Sequence, residues 1–263
     1  MKPNDRIIVA LDVPTSGEAL RLVDELSDLV TFYKVGLELL MAGGMEKLLE
    51  KLVKDKRVFV DLKLPSDIPE TVQRVVRLAA KLGVKFLTLS YSAGRETIRA
   101  AITGRGDQTS PELLYVPALS SLDQEDFAQM TGRDASEFGE DLLARARKAR
   151  NEGVDGFVVS GQEIRLVRKA IPDLTLVSPG IRLSGTSHDD HKRACTPSEA
   201  IRLGANYIVV GRPIRNAPNP RDATQRIIEE IASAEGLNSP TNGNTANAGG
   251  QPPLGRGYAT SPC

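Results

Sequence analysis

Histidine and cysteine are scarce in this chain, with two of each among 263 residues, and neither pair has the spacing of a metal or redox centre. Cys195 and Cys263 lie far from any CxxC arrangement, which predicts a reduced chain in the cytoplasm. His188 and His191 stand together as His188-Asp-Asp-His191, a superficial likeness to a metal cluster. A metal-dependent sugar-phosphate epimerase needs ligands from several strand ends, so the pair reads as a solvated lid. Net charge is missing as well: Lys plus Arg and Asp plus Glu are 34 each. No overall field therefore draws the chain to nucleic acid or a membrane, and an anionic ligand must be held by locally placed cations. Long hydrophobic runs are also absent. The N-terminal Met-Lys-Pro-Asn-Asp-Arg leads only to a brief apolar run that Asp12 interrupts, so neither a signal peptide nor a membrane anchor is expected there. No GxGxxG follows the first strand, which leaves a doubly wound sheet without its main support.

What the chain does have is 40% hydrophobic residues, ample for a core, and a regular alternation of elements. Residues 7 to 11 read as a buried strand ended by Asp12 and Pro14. Thr15 and Glu18 then form a capping box before Ala19, Leu22, Val23, Leu26, Leu29 and Val30, which recur at helical spacing. The pattern predicts strands over Phe32–Gly36, Arg57–Leu64, Phe86–Leu89, Leu113–Ala118, Gly156–Val159, Leu174–Val177 and Tyr207–Val210. Between them it predicts a helix over Leu37–Val53, weak at Gly43-Gly44, another from Asp67 to about Leu82, and mostly helical structure over 122–152. Helical stretches are further predicted after the strands at Gly156 and Tyr207. Eight short strands, each followed by a helix or a loop, fit an α/β chain folded as a single-domain (β/α)8 TIM barrel. It is expected to span residues 1–235. From 236 to 263 the sequence turns to Asn, Ser, Pro, Gly and Thr, which predicts a disordered C-terminal tail.

The stretch Val58-Phe-Val-Asp61-Leu-Lys63-Leu-Pro-Ser-Asp67-Ile-Pro69 carries three charges of alternating sign after an apolar run. Side chains of a strand alternate between its faces, so Asp61 and Lys63 are expected on one face and Leu62 and Leu64 on the other. Asp67, with Pro69 and Glu70 after it, also reads as a helix N-cap. In a β/α barrel the ligand lies over the C-terminal strand ends. There the first strand delivers Asp12, the second Lys34 and the third Asp61 and Lys63, a cluster that predicts an active site. Across the mouth, Ser178-Pro179-Gly180-Ile181-Arg182 follows the seventh strand and Gly211-Arg212-Pro213 the eighth. These are the places where such barrels often hold phosphate, so a phosphorylated small molecule is implied.

Taken together, Ala10-Leu11-Asp12, Tyr33-Lys34-Val35-Gly36, Asp61-Leu-Lys63 with Asp67-Ile-Pro69, Pro179-Gly-Ile-Arg182 and Val210-Gly-Arg-Pro213 resemble the bacterial-type orotidine 5'-phosphate decarboxylases. The resemblance implies a homodimeric barrel with shared active sites. It would convert orotidine 5'-phosphate to uridine 5'-phosphate and carbon dioxide in pyrimidine synthesis, without metal or organic cofactor. It implies Lys63 as proton donor, Asp61 and Lys34 as its charged array, and Asp67 and Thr71 reaching into the partner's site. Asp12 and Lys34 would contact the ribose and Ser120 the pyrimidine, with Arg182, Gly211 and Arg212 at the phosphate end. His191 stands where the family commonly offers Gln for the phosphate, and residues 182–192 are the expected lid. Three residues separate Lys63 from Asp67, one more than the family's usual Asp-x-Lys-x-x-Asp, and Ser90-Tyr91 stands where a His-containing motif is common.

Other readings make distinct demands. A Schiff-base aldolase needs a neutral lysine, which Asp61 beside Lys63 opposes. A related barrel decarboxylase acting on keto sugar phosphates differs in substrate and magnesium dependence. A catalytically silent nucleotide-binding barrel would bind uridine 5'-phosphate without turnover.

Overall fold

Apolar runs of three to five residues are too short for helices, and each finds its partner in the next run of the chain. In the computed structural model, which describes residues 1–65, 67–161, 163–183 and 194–236, eight such strands close into a parallel barrel. They are β1 (Ile7–Ala10), β2 (Phe32–Gly36), β3 (Arg57–Leu64), β4 (Phe86–Leu89), β5 (Glu112–Tyr115), β6 (Gly156–Val158), β7 (Thr175–Ser178) and β8 (Tyr207–Val210). Each pairs with its sequence neighbour, and β8 closes on β1 through Ile7↔Ile208 and Val9↔Val210.

Strand alternation divides the core in two. Ile8, Ala10, Phe32, Phe59, Phe86, Leu114, Val158, Val177 and Val209 fill the barrel, while Ile7, Val9, Tyr33, Val35, Val58 and Val60 face the helices. Phe32, Phe86 and Tyr207 open their strands, and their rings meet 5.1 to 5.7 Å apart at the N-terminal end. This aromatic floor occupies one end of the barrel and leaves the other end to smaller and polar side chains.

The outer layer is α1 (Ser16–Glu25), α2 (Leu37–Ala42), α3 (Met45–Leu52), α4 (Pro69–Lys81), α5 (Arg95–Arg105), α6 (Gln124–Thr131), α7 (Phe138–Glu152), α8 (Glu163–Ala170), α9 (Pro197–Leu203), α10 (Arg212–Arg215) and α11 (Pro220–Gly236). Thr15 caps α1 by accepting the Glu18 N–H at 3.1 Å, as its sequence predicts. The expected single helix over 37–53 is two, because Gly43 and Gly44 both adopt positive φ and break it. Asp67 is not the cap of α4: that place belongs to Ile68, whose N–H Asp67 Oδ1 accepts at 2.7 Å. The fifth strand stops at Tyr115, short of the expected Ala118. The expected tail, His191 and most of the expected lid lie outside the described residues.

Candidate active site

A cavity of about 540 Å³ opens over the C-terminal ends of the strands, within the range that holds small ligands. Asp12, Lys34, Asp61, Lys63, Ser120, Arg182, Gly211 and Arg212, all expected site residues, line it. Asp67 and Thr71 do not line this chain's own cavity: Asp67 is exposed, and the Thr71 hydroxyl accepts from Arg74 at 3.4 Å.

The charges on β1 to β3 form a chain of contacts. Lys34 Nζ donates to Asp12 Oδ1 at 2.9 Å and lies 3.6 Å from Asp61 Oδ2. Lys63 Nζ stands 3.0 Å from both oxygens of Asp61. Side-chain exposure falls from 37% at Lys63 to 14% at Asp61 and 11% at Lys34, so Lys63 is the member of the lysine pair most open to a ligand. Burial works against ionisation of Asp61, but the two ammonium groups and hydrogen bonds from Lys63 and Thr88 outweigh it and hold the carboxyl below its ordinary range. Burial likewise opposes charge on Lys34, and the carboxylates of Asp61 and Asp12 prevail and hold it above its ordinary value. A buried ammonium and a buried carboxylate are thus both kept charged by their neighbours.

The way Lys63 reaches this position departs from a regular strand. The β3–β4 register passes from Val60↔Leu87 to Leu64↔Leu89, so Asp61, Leu62 and Lys63 stand opposite Thr88 alone. Lys63 sits at φ +48°, the only non-glycine at positive φ among the described residues. An L-residue pays about 1–3 kcal/mol for that conformation, which persists only where surrounding contacts impose it. Asp61 and Lys63 do meet, but across a bulge rather than by the even alternation expected of β3. Bulges of this kind re-aim side chains, and here the bulge lies at the cavity.

The opposite wall is cationic. After β7 the chain turns at Gly180, whose φ is +73°, and Ile181 bridges to Cys195 while the Arg182 N–H donates to the Cys195 carbonyl at 3.0 Å. These contacts join the two ends of the β7–α9 loop and hold Arg182 at the wall, where it is buried. Gly211 follows β8 and caps α10, whose Arg212 and Arg215 line the same cavity. Three arginines therefore line one side of the cavity, the residue type best suited to phosphate oxygens.

Two residues of interest escaped the sequence reading. Arg215 follows the expected Gly211-Arg212-Pro213 by two positions, and a helical turn brings it back to the cavity. Thr88 is fully buried and touches both ends of the bulge; its only signal is a hydroxyl inside the apolar run Phe86-Leu87-Thr88-Leu89.

The likeness to known proteins covers nearly all of the described barrel. The chain is 45% identical to orotidine 5'-phosphate decarboxylase of Bradyrhizobium sp. (strain ORS 278), across 91% of this chain and 97% of that protein. It is 47% identical to orotidine 5'-phosphate decarboxylase of Methylococcus capsulatus (strain ATCC 33009 / NCIMB 11132 / Bath), across 86% and 92% of the two chains. The crystal structure of orotidine 5'-phosphate decarboxylase from Lactobacillus acidophilus superposes with a TM-score of 0.73 at 32% identity, covering 86% of this chain and 99% of that one. Residues 5–227 match the model of the orotidine 5'-phosphate decarboxylase / HUMPS family, and to that family the chain belongs.

Proposed function

We propose that this chain decarboxylates orotidine 5'-phosphate to uridine 5'-phosphate at the mouth of its barrel, with Lys63 as the acid. The carrying observation is the Lys34–Asp61–Lys63 array facing three arginines across one cavity. In this reading Arg182, Arg212, Gly211 and, from the lid, His191 receive the phosphate. Asp12 and Lys34 hold the ribose, and Ser120 meets the pyrimidine. The carboxylate of the substrate then lies toward Asp61 and Lys63. When the bond from C6 to carbon dioxide breaks, its electron pair stays on C6. A fixed ammonium stabilises that charge more in the transition state than in the substrate, and Lys63 then transfers its proton to C6. Asp61 keeps Lys63 aimed at the reacting carbon, and Lys34 keeps Asp61 ionised.

A homodimer with shared sites completes the proposal. Asp67 and Thr71 stand at the rim rather than in their own cavity, ready to serve a partner's. Leu37 and Met41 on α2 and Ile68 just before α4 are 59%, 83% and 66% exposed, large apolar side chains that a second copy would cover. No described helix is long and apolar enough to cross a membrane, and a cytoplasmic barrel spanning residues 1–235 accords with the reading.

The test is the fall in ultraviolet absorbance when purified protein meets orotidine 5'-phosphate in the presence of a chelator. Wild type should turn it over, and Lys63→Ala should lose about 1,000-fold or more in rate while staying folded. Folded wild type that leaves the substrate intact contradicts the proposal. Magnesium-dependent turnover of a keto sugar phosphate, or tight binding of uridine 5'-phosphate without turnover, would then name the replacement.

A further inference from the structure

The bulge that presents Lys63 creates a problem that β3 does not solve by itself. Three residues face Thr88 alone, and Lys63 at φ +48° directs its N–H away from the regular ladder. A buried N–H left unpaired costs about 1–3 kcal/mol, so a partner must be supplied. Thr88 supplies it: its Oγ1 accepts the Lys63 N–H at 2.8 Å. The same hydroxyl donates to Asp61 Oδ1 at 3.0 Å, the oxygen that Lys63 Nζ also approaches at 3.0 Å. One hydroxyl thus uses its donor and an acceptor lone pair to fix the backbone of one charged residue and the side chain of the other. Thr88 is wholly buried, is absent from the cavity lining, and is held by β5 through Thr88↔Leu114.

We infer that Thr88 is a positioning residue for the decarboxylation: its hydroxyl sets the Asp61–Lys63 geometry by tying the bulged backbone to the carboxylate. The inference rests on the decarboxylase reading. It assigns Thr88 to the transition state and not to substrate capture, because the cationic wall lies across the cavity on β7 and β8.

The experiment compares kcat, KM for orotidine 5'-phosphate and affinity for uridine 5'-phosphate in wild type, Thr88→Val, Thr88→Ser and Thr88→Cys. Valine keeps the shape and removes the hydroxyl. A misplacement of this kind predicts a fall in kcat of about 100-fold. KM and uridine 5'-phosphate binding should hold, and serine, which retains the hydroxyl, should recover most of kcat. If Thr88→Val does not fold, serine against cysteine decides, since the two match in shape and the thiol is a poor hydrogen-bonding substitute. Wild-type kcat in the valine or cysteine variant overturns the inference, as does a serine variant no better than these. A parallel loss of kcat, KM and product affinity overturns it too, by showing general damage. Inactive wild type overturns the decarboxylase reading and this inference together, whereas active wild type with active Thr88→Val overturns this inference alone.

Discussion

At the scale of single residues, the site works by opposing burial with charge. Burial opposes the charged form of both Asp61 and Lys34, and each is favoured as an ion by the other and by Lys63 or Asp12. The pH dependence follows from the directions of the two shifts. The contribution of Asp61 to stability is complete above the ordinary carboxylate value of about 3.9 and is lost as pH falls through its lower folded value. The contribution of Lys34 is complete below the ordinary lysine value of about 10.4 and is lost as pH rises through its higher folded value. In urea unfolding, the stability difference between wild type and Asp61→Asn should therefore be level from roughly pH 5 to 9 and change only below about pH 4. A difference that drifts steadily across the neutral range would show that the array titrates there, against this account.

At the scale of elements, close approach decides how the helices sit. Gly104 of α5 lies over α4, where a Cβ would run into the Gln73 carbonyl oxygen of the neighbouring helix. Backbone cannot yield as a flexible side chain does, so Gly104→Ala should cost about 1–3 kcal/mol in denaturant unfolding. Unchanged stability would mean that α4 and α5 have room to separate. Since α4 starts two residues past Asp67, a shift of α4 would also disturb the rim. Most of these elements were legible from apolar period alone: β1 to β8 fall close to the expected runs, and Thr15 caps α1 where the sequence puts it, although the Glu18 carboxylate meets the Thr15 hydroxyl at 3.1 Å and the reciprocal bond of the expected capping box is not formed. Helix α9 was not anticipated, although Thr196 and Glu199 form its capping box with Pro197 at its first position, because it follows soon after the polar lid segment. The bulge in β3 was illegible for a different reason. Period-two alternation places Asp61 beside Lys63 whether or not the strand is regular, so the pattern conceals the positive φ and the need for Thr88. The expected N-cap at Asp67 failed by one residue, since the Asp67 carboxylate accepts the next N–H and Ile68, not Asp67, takes the cap position before Pro69 opens the helix.

At the scale of the whole molecule, the barrel separates stability from chemistry. Aromatic rings fill the N-terminal end, and charge gathers at the C-terminal end over an apolar interior. The two charged walls come from distant parts of the chain, β1 to β3 on one side and β7 to β8 on the other, and closure of the sheet brings them together. The proposed dimer extends this logic across two chains. If Asp67 serves the partner's cavity, Lys63→Ala and Asp67→Asn, each inactive alone, should regain activity when mixed and allowed to exchange subunits. Random pairing gives roughly a quarter of wild-type activity, because half the dimers are mixed and each holds one intact site. No regain, with exchange verified, would place Asp67 outside the partner's site.

The central claim, that Lys63 protonates the carbon left by carbon dioxide, is tested most directly by proton magnetic resonance of orotidine 5'-phosphate turned over in deuterated buffer. Exchanged Lys63 carries deuterium, so wild type should yield uridine 5'-phosphate labelled at C6, and folded Lys63→Ala should leave the substrate untouched. Turnover by Lys63→Ala at the wild-type rate, or folded wild type that forms no labelled product, would contradict the account.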